Sequence, residues 1–200
     1  MHQMNDDNNI NKAPQNPKES SFWEMVRYLV IASLIVFPFR MFVAQPYIVS
    51  GSSMDPTFKN GDYLIVDQLS KRFSEPARES VLIIRYPVDP SKFFIKRLIG
   101  FPNETIEIKN GVVTIFNKSH PEGFSLDNSY IEHKKNDNFS IKLGDSEYFV
   151  MGDNRANSSD SRVWGPLPSE DIVGKPILRL FPIKKIGILP GEVNNNEGQK

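Results

Sequence analysis

Hydrophobic and polar residues are distributed very unevenly along the chain. Residues 1–21 are dominated by Asn, Asp, Gln, Lys and Pro, and they hold too few apolar groups to offset the entropy of ordering, which predicts a disordered tail. From Phe22 the pattern reverses, and 13 of the 16 residues between Tyr28 and Val43 are apolar. As a helix, the stretch from Phe22 to Val43 would extend about 33 Å, longer than the roughly 30 Å hydrocarbon core of a bilayer. Residues 22–44 are therefore predicted to form one N-terminal transmembrane anchor.

Two other interpretations of this apolar segment stay open: a buried core helix and a cleaved signal peptide. Cleavage is disfavoured because Val43, Ala44 and Gln45 make a poor small-residue cleavage site with Pro46 close behind. The basic residues that flank the segment do not decide its orientation, because Lys12, Lys18 and Arg27 give only a weak bias.

After Pro46 the pattern changes to short runs of β-branched and aromatic residues separated by turn residues. This pattern predicts an all-β body, with mainly antiparallel sheet, over residues 45–191. The pair Asn110-Gly111 between two of these runs predicts a two-residue hairpin turn. Residues 117–146 are mostly polar and are interpreted as an insertion, and residues 192–200 as a second disordered tail. The predicted strands are 63–66, 81–86, 93–99, 105–108, 112–116, 148–151 and 177–180.

Composition narrows the possible functions. The 24 basic residues balance the 24 acidic residues, which gives no electrostatic footprint for nucleic acid. The chain has no cysteine, which excludes zinc fingers, cysteine nucleophiles and disulfides. Its three histidines, His2, His120 and His133, are too scattered to suggest a metal site. We therefore expect no metal, no cofactor and no nucleic-acid partner.

Three segments carry candidate chemistry, and each has an ordinary structural alternative. Residues 49–57 (VSGSSMDPT) surround a serine with small residues that let a substrate backbone approach, although a Gly/Ser-rich linker has the same composition. In the strand 93–99, Lys96 interrupts an apolar run; burial would lower its pKa and favour a neutral amine, unless its stem only covers an edge strand. Residues 151–166 (MGDNRANSSDSRVWGP) predict a compact hydrogen-bonded loop, suited either to a site or to a rigid surface.

Together, in this order behind one apolar segment, SGSSMDPT, IKRLIGFP and MGDNRANSSDSRVWGP resemble the type I signal peptidases. The resemblance covers residues 22–189 and implies a membrane-anchored serine protease with a Ser/Lys dyad, whose catalytic body shares the fold type of self-cleaving repressor proteases. It implies Ser53 as nucleophile, Lys96 as general base, and Ser158 as the residue that orients the lysine. It also implies that Asp160 and Arg162 form a pair that braces the site together with Arg97.

The same resemblance implies a substrate and a location. Tyr47, Val49, Phe58 and Ile95 align with residues that line shallow pockets for small side chains before the cleavage site. The expected partners are the signal peptides of exported preproteins and the lipid bilayer. The expected location is the plasma membrane, with a single pass and the catalytic body on the extracytoplasmic side.

Some positions depart from the usual family pattern. Gly51 stands where one branch has a serine that assists the oxyanion hole, so it points to the branch common in Gram-positive bacteria. Where the family often has Gly-Asp, this chain has Glu79-Ser80 and Asn103-Glu104, both at predicted turns.

Two functions other than an anchored protease remain open on the sequence. One is a catalytically inactive, membrane-anchored homologue that acts as a binding module, and the other is a soluble, self-cleaving Ser/Lys protease. The first would not need Ser53, Lys96 and Ser158 together, and the second would not need the apolar segment 28–43.

Overall fold

The structure is a computed structural model that describes residues 17–42, 44–126 and 130–193, with side chains described for 21–37 and, in the later ranges, from residue 45 onward. The chain divides into two units, one up to Phe39 and one from Arg40 onward. Each unit is considered by itself below.

The first unit is built on one helix, α1, which runs from Pro17 to Phe42. Proline suits the first helical position because its missing N–H would have no partner there. The helix begins before the predicted start at Phe22, so the predicted tail is wrong for residues 17–21, while residues 1–16 lie outside the described residues. The apolar side chains between Phe22 and Phe37 are mostly exposed. Among the residues described, no helix is both long and apolar enough to cross a membrane.

The second unit is mainly antiparallel sheet, as the alternation of short apolar runs predicts. This unit contains the short helix α2, a single turn from Ser161 to Trp164. The strands are β1 (Ala44–Ile48), β2 (Tyr63–Asp67), β3 (Val81–Tyr86), β4 (Asp89–Gly100), β5 (Thr105–Lys109), β6 (Val112–Phe116), β7 (Phe124–Ser125), β8 (Phe139–Lys142), β9 (Glu147–Met151), β10 (Leu167–Pro168), β11 (Ile172–Phe181) and β12 (Gly187–Ile188).

These strands form two sheets. The larger sheet has the order β1-β2-β11-β3-β4-β9-β10, with β12 paired to β11, and the smaller has the order β7-β6-β5-β8. β1 is an edge strand of the larger sheet, a position that tolerates Pro46 because an edge does not need every N–H for pairing. The sequence did not predict β1, since its five residues (AQPYI) hold a proline and a glutamine.

The predicted hairpin is confirmed. β5 and β6 pair antiparallel, with Lys109 opposite Val112, and the two turn residues have positive φ angles of 51° at Asn110 and 79° at Gly111. Positive φ at both positions is what a type I′ turn requires.

Residues 117–146, which the sequence analysis interprets as an insertion, supply β7 and β8 to the smaller sheet. β8 pairs with β5 and β7 pairs with β6. In β8, Phe139 and Ile141 are half-buried and alternate with two exposed residues, and both pack against the core of the smaller sheet. A four-residue strand with a single alternating pair of apolar residues is too short to stand out in a polar stretch.

The larger sheet has an apolar cluster on each of its faces. One contains Met54, Leu64 and Ile83, and the other contains Leu82, Leu98 and Val150. Because side chains alternate along a strand, Leu82 and Ile83 of β3 point to opposite faces and contribute to different clusters. The strand β4 therefore lies between two apolar layers, and this burial positions the site.

Candidate active site

Ser53 lies in the loop between β1 and β2, and this loop is fixed to the loop after β9. The Asn154 backbone N–H donates to the Ser53 carbonyl at 3.0 Å, and the Asn154 side chain donates to the Ser52 carbonyl at 3.1 Å. Gly51 has a φ of +95°, a backbone conformation that glycine adopts without strain, and its N–H donates to the Asn60 side chain at 3.0 Å. The serine is therefore held from both sides of its loop.

Lys96 lies on β4 and points at this serine. Its Nζ donates to Ser53 Oγ at 2.8 Å and to the Ile95 carbonyl at 3.1 Å. The residue is only 3% exposed. Burial disfavours the ammonium form and lowers the pKa of Lys96 to about 8, although the carboxylates of Asp160 and Asp153 act in the opposite direction. A large share of this amine is neutral at mildly alkaline pH, and a neutral amine can accept a proton.

The neighbouring Arg97 forms a buried ion pair with Asp153. Its guanidinium donates to both carboxylate oxygens of Asp153, at 2.8 and 2.6 Å, and both side chains are at most 1% exposed. Thr57 Oγ1 also donates to Asp153 at 2.6 Å. Arg97 and Asp153 thus form a pair separate from Asp160 and Arg162, and this pair connects β4, the Ser53 loop and the loop after β9.

Asp160 and Arg162 form a second ion pair, as the resemblance implies. Arg162 donates to both carboxylate oxygens of Asp160, at 2.9 and 2.8 Å, and to Asp137 at 2.8 Å. Burial alone would raise the pKa of Asp160, but the hydrogen bonds and the charge of Arg162 lower it below the ordinary value. Asp160 stays ionised and also accepts the Gly152 N–H at 3.0 Å.

Ser158 is placed close to the Ser53 loop through Gly152. A Cβ added at Gly152 would lie 2.3 Å from Ser158 Oγ and 2.4 Å from the Ser53 carbonyl oxygen, so only glycine fits between them. Ser158 Oγ is buried and meets no partner at ideal hydrogen-bond geometry among the residues described, but its hydroxyl faces the Asp160 carboxylate and contributes to lowering the pKa of Asp160. The structure thus brings Ser158 to the site but does not show the predicted hydrogen bond to Lys96.

The four predicted pocket residues come together in one apolar cluster. Val49, Phe58 and Ile95 are buried in it, and the half-buried Tyr47 packs against it. Phe58 has no exposed surface.

The two turns at which the sequence departs from the family pattern have an unusual backbone conformation. Glu79 has a φ of 62° and Asn103 a φ of 67°, so both positions where the family often has glycine adopt the left-handed conformation that glycine favours. Asparagine tolerates this conformation better than glutamate does, because its short polar side chain can hydrogen-bond locally.

Sequence reasoning missed two residues that organise the site. Asp153 and Asn154 lie in the polar loop that the sequence singled out, yet nothing in their spacing distinguishes Asp153 from Asp160 as the partner of Arg97. Across the described ranges, no group of three or more His, Asp or Glu side chains is placed to hold a metal ion.

Comparisons with known proteins agree with this geometry. Residues 22–181 match the family described as "Signal peptidase, peptidase S26". The chain is 34% identical over 187 residues to a probable signal peptidase I-1 of Synechocystis sp., covering 88% of this chain and 92% of that protein. It is 37% identical over 172 residues to a signal peptidase I of Bacillus amyloliquefaciens, covering 82% and 88%.

Two further similarities include a solved structure. Over 175 residues the chain is 35% identical to signal peptidase I P of Bacillus subtilis subsp. natto, covering 84% of this chain and 94% of that protein. A crystal structure of a signal peptidase I from Enterococcus faecalis is 27% identical and covers 51% of this chain and 97% of its own, with a TM-score of 0.44. By the family match and these identities, the chain belongs to the signal peptidase family, peptidase S26, and is a hydrolase of the signal peptidase I type.

Proposed function

We propose that this chain is a membrane-anchored serine endopeptidase that removes N-terminal signal peptides from exported preproteins and cuts after small residues. Ser53 is the nucleophile and Lys96 is the general base. The observation that supports this best is the 2.8 Å contact between Lys96 Nζ and Ser53 Oγ, with the lysine buried and its pKa lowered to about 8. A neutral amine at hydrogen-bond distance from a serine hydroxyl satisfies both the geometry and the protonation state that a general base needs.

The reaction then proceeds in two halves. The Ser53 hydroxyl gives its proton to Lys96 Nζ as Oγ bonds to the scissile carbonyl carbon. The C–N bond breaks, the leaving amine takes the proton from Lys96, and the signal peptide stays bound to Ser53 as an ester. A water molecule then gives a proton to Lys96 and attacks the ester, and the proton returns to Ser53 Oγ as the ester bond breaks. Lys96 alternates between amine and ammonium, and no other side chain of the enzyme needs to change its protonation state between steps.

The negative charge on the attacked oxygen needs a donor. The Ser53 backbone N–H donates to no acceptor in the described part of the chain, and we assign it to this oxygen. Gly51, which has no side-chain donor, adds nothing there.

Ser158 is proposed to orient Lys96. An ammonium group has three donors, and the structure uses two of them, toward Ser53 and Ile95. The Ser158 oxygen can accept the third, because a hydroxyl that donates toward Asp160 still has lone pairs to accept with, and no described donor occupies them. Asp160, Arg162 and the Arg97–Asp153 pair support the loops around it rather than touching the substrate.

The substrate is proposed to add to the edge of the larger sheet. β1 ends at Ile48, and the chain continues through Val49 toward Ser53, so an extended peptide paired with this edge would run past the nucleophile. Tyr47, Val49 and Ile95 are bulky, and they leave room only for small side chains in the substrate.

Membrane anchoring is proposed from the sequence of α1. Its large apolar side chains are mostly exposed between Phe22 and Phe37, and the apolar run continues in the sequence to Val43. Exposed apolar surface of this extent is costly in water and favourable in lipid. We propose one pass through the plasma membrane, with the β-rich body outside the cytoplasm, where exported preproteins arrive. Fractionation separates this from a soluble self-cleaving protease: the anchored enzyme stays in the membrane pellet after an alkaline wash.

The test of the mechanism is cleavage of a preprotein in detergent. Ser53→Ala and Lys96→Ala should each abolish measurable cleavage, while the proteins keep their circular dichroism spectra. The matched controls are Ser52→Ala, which removes the exposed neighbouring hydroxyl, and Lys92→Ala, which removes an exposed lysine of the same strand. Either dyad variant cleaving at the control rate would refute the assignment. An inactive wild type would instead favour the binding module.

A further inference from the structure

A cavity of about 320 Å³ lies in the β-rich unit, outside the groups assigned to catalysis. The turn of the β5–β6 hairpin forms one wall, and the segment 131–136 forms another. Basic and amide side chains line it, contributed by Asn110, Lys134, Lys135, Asn136 and Arg155. No step of the proposed reaction uses these side chains.

Arg155 is the unusual member of this lining. It is only 4% exposed, and among the described residues the one hydrogen bond of its side chain runs from Nε to the Gly152 carbonyl at 3.0 Å. Within the described ranges its two terminal nitrogens have neither a hydrogen-bond partner nor an ion pair. Buried guanidinium groups are normally paired, because an uncompensated buried charge is costly. An arginine this buried, with its terminal donors free beside a cavity, is what an anion site requires.

The nearby carboxylates do not supply the missing partner. Asp153 and Asp160 attract Arg155 only at a distance, since their oxygens are already bonded by Arg97 and Arg162. Asp137, at the edge of the cavity, is bonded by Arg162 at 2.8 Å and lies 3.7 Å from Lys135 Nζ. The positive charge of the cavity is thus only partly balanced by the protein.

Lys134 adds to the unbalanced positive charge of the cavity. It is exposed, and it forms no ion pair in the described part of the chain. Together with Arg155 it places two unpaired cations on one cavity. A ligand with more than one negative charge would balance them, whereas water would not.

Backbone contacts hold the cavity walls together. The Gly111 N–H donates to the Asp137 carbonyl at 3.1 Å, and the Ala156 N–H donates to the His133 carbonyl at 3.2 Å. The approach at Gly111 is close, since a Cβ there would lie 2.3 Å from the Lys135 carbonyl oxygen. The segment with both lysines is therefore tied to the hairpin on one side and to the loop of Arg155 on the other.

We propose that this cavity binds a phosphate group, either as a free phosphate or as the headgroup of a lipid, with the Arg155 guanidinium and the Lys134 ammonium as its main contacts. Arginine donates two parallel hydrogen bonds to phosphate oxygens, and lysine adds a point charge. A phosphate monoester carries about 1.5 to 2 negative charges at neutral pH and a lipid phosphodiester carries one, so either balances at least one of the two cations. The site is independent of the proposed peptidase mechanism.

The test titrates inorganic phosphate into the full chain in detergent, at constant ionic strength, by isothermal titration calorimetry. The variant K134A/K135A changes two exposed side chains and leaves the buried Arg155 in place. The control K184A/K185A removes an equal charge from another exposed lysine pair. We expect saturable binding at one site, at least tenfold weaker in K134A/K135A and within twofold of wild type in the control. Absence of saturable binding, or equal weakening in both variants, would overturn the proposal.

A second variant addresses Arg155 itself. Arg155→Lys keeps the charge but removes the planar pair of donors, so it should bind phosphate less tightly than wild type does. The affinity for sulfate, titrated in the same way, should fall in parallel. Unchanged phosphate affinity in a folded Arg155→Lys would also contradict the proposed contacts.

The two sources of phosphate are distinguished with vesicles. Phosphatidylcholine vesicles containing a third phosphatidylglycerol are compared with phosphatidylcholine alone. If the site takes a lipid headgroup, the mixed vesicles displace inorganic phosphate from wild type; if it takes a free phosphate, they do not. Both results support a phosphate site. Displacement that persists equally in K134A/K135A would place the vesicle contact elsewhere and count against the cavity.

Discussion

Lys96 Nζ lies 2.8 Å from Ser53 Oγ, although the two residues are 43 positions apart in the sequence and lie on different elements, a strand and a loop. Whether Lys96 can accept the serine proton depends on its burial as much as on this distance. A lysine with an ordinary pKa would be fully protonated at neutral pH and could not accept the serine proton, whereas the apolar layers around β4 disfavour the ammonium form.

The first prediction concerns the pH dependence of cleavage. The pKa of Lys96 is lowered to about 8, and the neutral form is the active one, so kcat/KM should rise with pH and level off above about pH 8. The measurement is kcat/KM for preprotein cleavage between pH 6 and 10, which reports the pKa of the free enzyme. A rise that continues beyond pH 10 would mean that the lysine has its ordinary pKa and that burial does not tune it.

The same lysine should affect stability. Below about pH 8 the folded protein holds a protonated, buried lysine, which the unfolded chain holds in water at no cost. The penalty disappears as pH rises from about 8 to the ordinary lysine value, because the unfolded chain then binds more protons than the folded one. Lys96→Met should therefore raise the free energy of unfolding at pH 7 by about 1–3 kcal/mol. The gain over wild type should shrink above pH 8 in urea titrations; a gain that does not depend on pH would contradict this explanation.

Much of the site could be predicted because local pattern and burial agree. An apolar run interrupted by Lys96 and Arg97 predicts a buried strand, and in the structure Phe94 packs on the same cluster as Leu98 while Ile95 packs on the opposite face. The Asn110-Gly111 turn is equally local, since its φ angles depend on two residues alone. These features need no knowledge of tertiary contacts.

Other features could not be predicted because they depend on contacts between residues that are far apart in the sequence. Arg97 pairs with Asp153 across 56 residues, while Asp160, seven positions further, pairs with Arg162 instead. Either aspartate could have served from sequence alone. β8 was missed for a different reason: its pairing with β5, rather than its own composition, makes it a strand.

The third prediction tests the close approach at Gly152. Gly152→Ala places a methyl group 2.4 Å from the Ser53 carbonyl oxygen and 2.3 Å from Ser158 Oγ, and the backbone atom cannot give way as a flexible side chain could. We expect at least a hundredfold loss of kcat/KM and a destabilisation of about 1–3 kcal/mol. Gly187→Ala is the matched control, because its nearest atom lies 3.9 Å away. Near wild-type cleavage by Gly152→Ala would show that Ser53 does not depend on this contact.

The fourth prediction separates a buried ion pair from an exposed one. Asp153→Asn leaves Arg97 buried without its charge partner and should cost about 3–5 kcal/mol of unfolding free energy. Asp89→Asn breaks the exposed pair with Lys92 and should leave the free energy of unfolding nearly unchanged, because solvent screens such a pair. Thermal and urea unfolding of both variants give the comparison. Similar costs for the two would mean that the Arg97–Asp153 pair is not a structural support of the site.

The last prediction concerns the C-terminal segment, which reaches the site through Arg97. The Gly191 carbonyl accepts a hydrogen bond from Arg97 at 2.8 Å, and Glu192 forms an ion pair with Lys175. Gly191 has a φ of +83° and packs so closely on Phe58 that a Cβ would lie 2.7 Å from its ring. A chain that ends after Pro190 loses all three contacts and leaves one donor of the buried Arg97 unpaired, at a cost of about 1–3 kcal/mol.

A chain that ends after Val193 keeps these contacts and is the control. We expect it to unfold like the full chain, whereas the shorter chain unfolds at a lower urea concentration and cleaves preprotein more slowly, because Arg97 neighbours Lys96 on β4. If the shorter chain cleaves slowly because part of it is unfolded, a ligand that binds the native state should restore part of the cleavage rate. A shorter chain that matches the control in both stability and rate would show that the Gly191–Arg97 contact carries no structural role.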